Sequence, residues 1–203
     1  GTNDIGNVME FEELATEPGH APPAITAPAV ALLGGAAVVA TAALTDFGGP
    51  WPLVAAIVYL LTSALAVARP LKGALDWLVP PFFRAAEYLT VLFLAAKADV
   101  NGALPAAFGL VAAVAYHHYD TVYRIRGDAG APPQWLVRTI GGHEGRTLVI
   151  CVLAALLTAP QFKLALTVLA VAVALVVLVE SIRFWVAAHK VGAPAVHDEG
   201  EPA

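Results

Sequence analysis

Six apolar runs, separated by short polar connections, fill almost everything between residues 25 and 188. Each is measured against the ~20 apolar residues that cross a bilayer as helix. The runs cover residues 25–45, 51–68, 80–98, 104–126, 146–159 and 163–188. The first is rich in Ala, Gly and Val, and Gly34, Gly35 and Ala36 let helix backbones approach closely. Pro50-Trp51-Pro52 opens the second at an interface. The fifth is short and stops at Pro160, and the sixth is the longest and most aliphatic. Charged residues make up only 13% of the 203, against roughly 25% in soluble domains. The sequence therefore predicts an all-α fold, a polytopic membrane bundle of six transmembrane helices.

The bases orient it. With six spans, the N-terminus, the second-to-third and fourth-to-fifth connections and the C-terminus share one side. Arg69, Lys72, Arg84, Arg124, Arg126, Arg138, Arg146, Arg183 and Lys190 fall there, and of the 11 Lys and Arg only Lys97 and Lys163 fall opposite. Positive charge stays inside, so both termini are expected in the cytoplasm of a multi-pass plasma-membrane protein. Residues 1–24 read as an acidic, Pro-rich linker or tail, 25–190 as the membrane domain and 191–203 as an acidic disordered tail. No basic segment precedes the first run, so a cleavable signal peptide is not expected. Gly1 in place of Met suggests a fragment, a processed product or the tail of a longer protein. One cysteine, Cys151, excludes a disulfide framework and a cysteine-based metal site.

The chemistry-bearing residues gather on the same side. Tyr116-His117-His118-Tyr119-Asp120-Thr121-Val122-Tyr123-Arg124-Ile125-Arg126 closes the fourth run, and Tyr116, Asp120, Tyr123 and Arg124 stack at helical spacing. Such a stripe at a membrane boundary is either a fixed interfacial anchor or a site for a phosphorylated lipid or nucleotide. Arg84, Glu87 and Tyr88 lie about one turn inside the third run, where Arg84 and Glu87 can neutralise each other. Arg138 and Gly141-Gly142-His143-Glu144-Gly145-Arg146 come from the fourth-to-fifth connection, and Glu180 and Arg183 from the sixth run. Consecutive glycines before a helix are either a plain turn or an exposed anion-binding start. Arginines grip phosphate bidentately, and carboxylates such as Asp76, Glu87, Asp120 and Glu180 could hold Mg²⁺ together with substrate phosphates. No compact DxxD, GxSxG, phosphate loop or HExxH is present, and the adjacent His117 and His118 point to different faces. The bases sit at membrane boundaries, so nucleic acid is not an expected partner.

The clusters Arg84-Ala85-Ala86-Glu87-Tyr88, His118-Tyr119-Asp120-Thr121-Val122-Tyr123-Arg124 and Gly141-Gly142-His143-Glu144-Gly145-Arg146 resemble an uncharacterised actinobacterial membrane domain. That domain lies at the C-terminal end of proteins that also carry nucleotidyltransferase and CDP-alcohol phosphotransferase modules. The resemblance covers about residues 25–190 and implies a role beside phospholipid or phospho-polyol synthesis, without supplying catalytic residues. A weaker similarity is to the CDP-alcohol phosphotransferases themselves, six-helix membrane enzymes with the signature DGxxAR, eight residues, then GxxxDxxxD. Ala68-Arg69 echoes its AR, but Ala64 and Leu65 stand in place of DG, and Phe82 and Ala86 in place of the later aspartates.

The leading expectation is a domain that binds, and in an enzymatic version transfers, a phosphorylated lipid or nucleotide-activated headgroup at the cytoplasmic face. Arg84, Arg124 and Arg146 would clamp phosphates, with His117, Arg126, Arg138, His143 and Arg183 contributing to the substrate site. Asp120 and Glu87 would be the catalytic pair and position Mg²⁺ or a hydroxyl, and Tyr123 would donate a hydrogen bond. An enzyme of this kind would be a CDP-alcohol-type membrane transferase lacking the usual aspartate motif. The alternative is a non-catalytic anchoring or dimerising domain of a larger transferase, with the same charges as structural ion pairs and the small residues of the first run as a homodimer face. A solute transporter would need polar groups through the bilayer centre, and the aliphatic middles of the runs argue against it.

Overall fold

The computed structural model describes residues 26–68, 73–127 and 130–192, less the side chains of 137, 138 and 188–192. The expected tails fall outside these residues (apart from the backbone at 191 and 192), as do Arg69, Lys72 and the side chains of Arg138 and Lys190. Seven α-helices follow one another among the described residues, with no strand. They are α1 (Ala27–Leu44), α2 (Trp51–Val67), α3 (Val79–Lys97), α4 (Ala103–Arg126), α5 (Gln134–Ile140), α6 (His143–Leu156) and α7 (Ala159–Gly192), with a single 3₁₀ turn, Asp76–Leu78, ahead of α3. Six of the seven reproduce the apolar runs to within a few residues.

Local chemistry sets the ends. Proline in the first turn of α1, α2 and α3 presets the helical φ where no intrahelical N–H bond is lost. The α3–α4 turn passes through left-handed backbone at Asp99 and Gly102. Three stretches are long and apolar enough to cross a membrane: Ala27–Leu44, Asp76–Lys97 and Ala159–Ala187, as expected of a membrane protein; α2 is apolar but shorter.

The helices pack in two groups. α1 lies against α2 and α3, α6 fits against α2 and α3, and α4 pairs with α7 while touching α3. Phe47, after α1, meets Phe162 at the start of α7, and a Cβ on Gly102 would meet the Lys163 side chain. The α1–α2, α3–α4 and α6–α7 turns therefore share one end of the bundle. The other end receives the start of α3, the end of α4 and the C-terminal part of α7.

The glycines of α1 are spent inside this packing. A Cβ on Gly34 would sit 1.9 Å from Thr62 Oγ1 of α2, and one on Gly35 would lie 3.0 Å from Ala86 Cβ of α3. Gly34 and Gly35 are thus part of internal packing, whereas Ala36 of the same small-residue stretch is exposed.

One element was absent from the sequence reading. The short fifth run becomes α6, whose 14 residues rise only ~21 Å, well under the ~30 Å of a hydrocarbon core. Ahead of it α5 lies against α7, with Leu136 and Ile140 buried and Trp135 beside Leu175, Val176 and Val179. α5 and α6 form a broken helix, interrupted at Gly141-Gly142, where Gly141 adopts φ +73°.

Gly34→Ala is expected to destabilise. The helix propensity gained is ~1 kcal/mol, against about 1–3 kcal/mol of overpacking. The variant should melt several degrees below wild type in detergent, and adding Thr62→Ala should recover part of the loss.

Candidate functional site

The expected site residues resolve into two buried ion-pair networks. In the first, Glu87 of α3 and Arg146 of α6 are 2% and 6% exposed. Arg146 donates from Nε to Glu87 Oε1 at 2.5 Å and from Nη2 to Oε2 at 2.9 Å, a bidentate pair joining the two helices. Its remaining nitrogen, Nη1, donates to the carbonyls of Gly141 at 2.5 Å and Ile140 at 3.3 Å. These carbonyls belong to the break between α5 and α6, where no helical partner exists. Arg146 therefore neutralises Glu87 and satisfies the interrupted backbone at once, which apolar surroundings require. Arg84 reaches Glu87 only loosely, at 3.7 Å, and its side chain stays 35% exposed. The i,i+3 partner expected from sequence is thus secondary to one 59 residues away.

His143 extends this network. Its ring stacks on Phe83 with centroids 4.1 Å apart and meets Tyr59 edge-on, while Nδ1 lies 3.0 Å from Glu144 Oε2. Tyr59, at the core of α2, donates to the Phe83 carbonyl at 3.3 Å. The Glu144 carboxylate folds over Gly142, where a Cβ would come within 2.6 Å of it, so Gly142 accepts no side chain without a shift.

The second network joins α4 to α7. Arg124, fully buried, donates from Nη1 and Nη2 to Glu180 Oε1 and Oε2 at 2.9 and 2.7 Å, and Nη2 lies 2.5 Å from Asp120 Oδ2. Its guanidinium stacks over the Phe184 ring, 3.8 Å from the centroid. Asp120 Oδ1 accepts from Trp185 Nε1 at 3.0 Å and from Ser181 Oγ at 3.2 Å, and Ser181 in turn contacts Tyr116 OH at 3.1 Å. The donors on α7 recur at the spacing of one helical turn, as do Tyr116, Asp120 and Arg124 on α4.

With ~1.5 Å of rise per residue, Glu87 stands ~12 Å from the start of α3 and ~15 Å from its end, close to mid-helix. Asp120 stands ~9 Å from the end of α4. His117 lies between, buried on α4 and within electrostatic range of Arg146 as well as of Asp120, Arg124 and Glu180.

Among the described side chains, the remaining expected residues do not join either network. Arg126 and Arg183 are exposed, and Arg183 borders a groove of about 310 Å³ with Trp135, Leu175, Val176, Val179 and Glu180. Tyr123 is exposed, and its ring rests against Tyr119 and Trp185. Asp76 turns to its own loop and accepts the Gly73 N–H at 2.8 Å. Arg138 lies outside the described side chains. Ser181, Phe184 and Trp185 were missed; the available signal was their position next to Glu180 and about one turn after it.

The residues present do not suit Mg²⁺. Among the described residues no group of three or more His, Cys, Asp or Glu side chains could hold a metal ion. The oxygens of Glu87 and Asp120 are taken by guanidinium, hydroxyl and indole donors in separate networks.

Removing one partner of a buried pair strands the other charge, at a cost of about 3–5 kcal/mol. Arg146→Met also orphans two carbonyls, so it is expected to lower the melting temperature more than Glu87→Leu. The double variant should be less destabilised than the sum of the two, a coupling that a double-mutant melting cycle reads directly.

No curated protein and no solved structure matches the chain. A family model does match, over residues 2–203. The chain belongs to a family of unknown function, DUF5941.

Proposed function

We propose that this chain is a non-catalytic membrane domain that anchors or assembles a larger enzyme, with its buried charges acting as helix clasps. The observation carrying this reading is that both buried guanidinium groups are already engaged: Arg146 by Glu87 and two carbonyls, Arg124 by Asp120 and Glu180. A phosphate could take either arginine only by leaving buried carboxylates unpaired, at several kcal/mol each. In this reading α1, α2, α3, α4, the α5–α6 pair and α7 are six membrane crossings with both termini in the cytoplasm. The resemblance to domains that follow nucleotidyltransferase and CDP-alcohol phosphotransferase modules supplies the kind of enzyme that would be anchored.

A second reading, binding of a phosphorylated lipid or nucleotide-activated headgroup, draws support from Arg84, which is loosely paired and one-third exposed, and from the exposed Arg126 and Arg183. It would run through these three cations rather than through Arg124 and Arg146.

Ligand-dependent melting separates the two. The purified domain should melt at one temperature with CDP-alcohols, inositol phosphates or polyprenyl phosphates, with or without Mg²⁺, whereas Asp120→Asn should melt lower without any ligand. A rise of several degrees with one phosphorylated class, abolished by Arg84→Gln, would replace the anchoring reading with the binding one. The six crossings are checked by impermeant maleimide labelling on a Cys151→Ser background. Cysteines at Gly48 and Asn101 should label from outside the cell, and one at Gly73 only after permeabilisation.

A further inference from the structure

Beside the second network, α4 and α7 leave an open groove of about 350 Å³, lined by Tyr116, Tyr119, Asp120, Tyr123 and Trp185. We infer that this groove binds an organic ammonium group, held over the aromatic faces and drawn by the Asp120 carboxylate. The inference goes beyond anchoring: an anchor without this site would still anchor.

The lining carries the argument. Four of its five residues are aromatic, the fifth is a carboxylate, and no cationic side chain among the described residues lines it. Arg183 lines the separate groove on the Glu180 side, and Arg124 is closed over by Phe184. Tyr119 and Tyr123 stack with centroids 6.1 Å apart, and Trp185 meets Tyr123 edge-on at 5.6 Å, so three rings form one continuous wall. Two of these, Tyr119 and Tyr123, are exposed although nothing in the network needs them. The negative face of an aromatic ring attracts cations, and several rings around a carboxylate form the usual cage for quaternary and primary ammonium groups.

Charge points the same way. The network sets two carboxylates, Asp120 and Glu180, against one guanidinium, Arg124. Asp120 Oδ1 also takes the indole N–H and the Ser181 hydroxyl. Its direct hydrogen-bonding capacity is thus largely used, but its charge remains at the floor of the groove. A tetraalkylammonium, which offers no N–H, fits such a floor better than a metal ion, which would need oxygen ligands freed for it. Asp120 lies ~9 Å from the end of α4, nearer that end of the helix than its middle. The ammonium of a zwitterionic lipid and a free soluble amine share this chemistry.

The test uses the full chain in detergent. Native mass spectrometry is run with equimolar phosphatidylcholine, phosphatidylethanolamine and phosphatidylglycerol, alongside a tryptophan-fluorescence titration with tetramethylammonium chloride against sodium chloride. The comparison protein is Tyr119→Leu/Tyr123→Leu, which keeps apolar bulk but removes the rings, and Tyr119→Phe/Tyr123→Phe keeps the rings. Preferential retention of the ammonium lipids, weakened about tenfold in the Leu variant and kept in the Phe variant, supports the site and assigns it to lipid. A tetramethylammonium response with the same variant pattern, without selective lipid retention, supports it for a free amine. Phosphatidylglycerol retained equally with no tetramethylammonium response, or binding unchanged in a Leu variant that melts like wild type, overturns it.

Discussion

Charge inside an apolar bundle has to be answered locally, and Arg146 shows how much of the architecture that requirement fixes. Its guanidinium donates four hydrogen bonds, two to a carboxylate on α3 and two to carbonyls of the α5–α6 break. A helix interrupted at this depth would otherwise expose backbone oxygens to surroundings with no donors. The break, the shortness of α6 and the buried Glu87 are therefore one feature. The carboxylate is tolerated because the arginine is there, and the arginine is held because the backbone opens towards it. Lysine could not substitute, because a point ammonium cannot present a planar fork to Glu87 while donating sideways to two carbonyls.

The number and extent of the long helices were legible because apolar run length is a coarse, additive signal, and α1, α2, α3, α4 and α7 follow it closely. Helix α5 was not. Its residues, Gln134-Trp135-Leu136-Val137-Arg138-Thr139-Ile140, carry mixed polarity and follow Pro132-Pro133, so composition reads them as a connection. Their burial against α7 is a tertiary effect that a local pattern does not encode. The same limit applies to the pairs. Spacing correctly put Asp120 and Arg124 on one face, because i and i+4 is a property of a single helix. It favoured Arg84 for Glu87 for that reason too, whereas the tighter partner comes from another helix. Sequence proximity finds which charges can pair; packing decides which do.

The residues singled out for phosphate chemistry thus divide by accessibility. Arg84, Arg124 and Arg146 read from sequence as the phosphate clamps, and of these Arg124 and Arg146 are buried in pairs. A more open aromatic surface is walled by Tyr119, Tyr123 and Trp185, of which the sequence reading had singled out only Tyr123, as a hydrogen-bond donor. What distinguishes them is that Asp120, on the inner edge of the same helix, opens into the groove they wall. A one-dimensional reading assigned that aspartate to Mg²⁺ or a substrate hydroxyl.

Why such a bundle uses ion pairs at all follows from the character of α7. Its membrane-length stretch is aliphatic on every side, so apolar patterning gives little reason to prefer one rotation about its axis. In lipid there is also little hydrophobic force between helices, since the tails are as apolar as the side chains. Glu180, Ser181, Phe184 and Trp185 form the one polar-aromatic stripe that breaks this degeneracy, and their contacts with Asp120 and Arg124 hold α7 in one rotation and one register against α4. Replacing the charges by well-packed apolar residues could be neutral in stability, as for other buried pairs, yet it would remove the contacts that choose the orientation. Here the ion pairs act chiefly on specificity. That same fixed rotation brings Trp185 beside Tyr123, so the clasp that orients α7 also builds the aromatic wall.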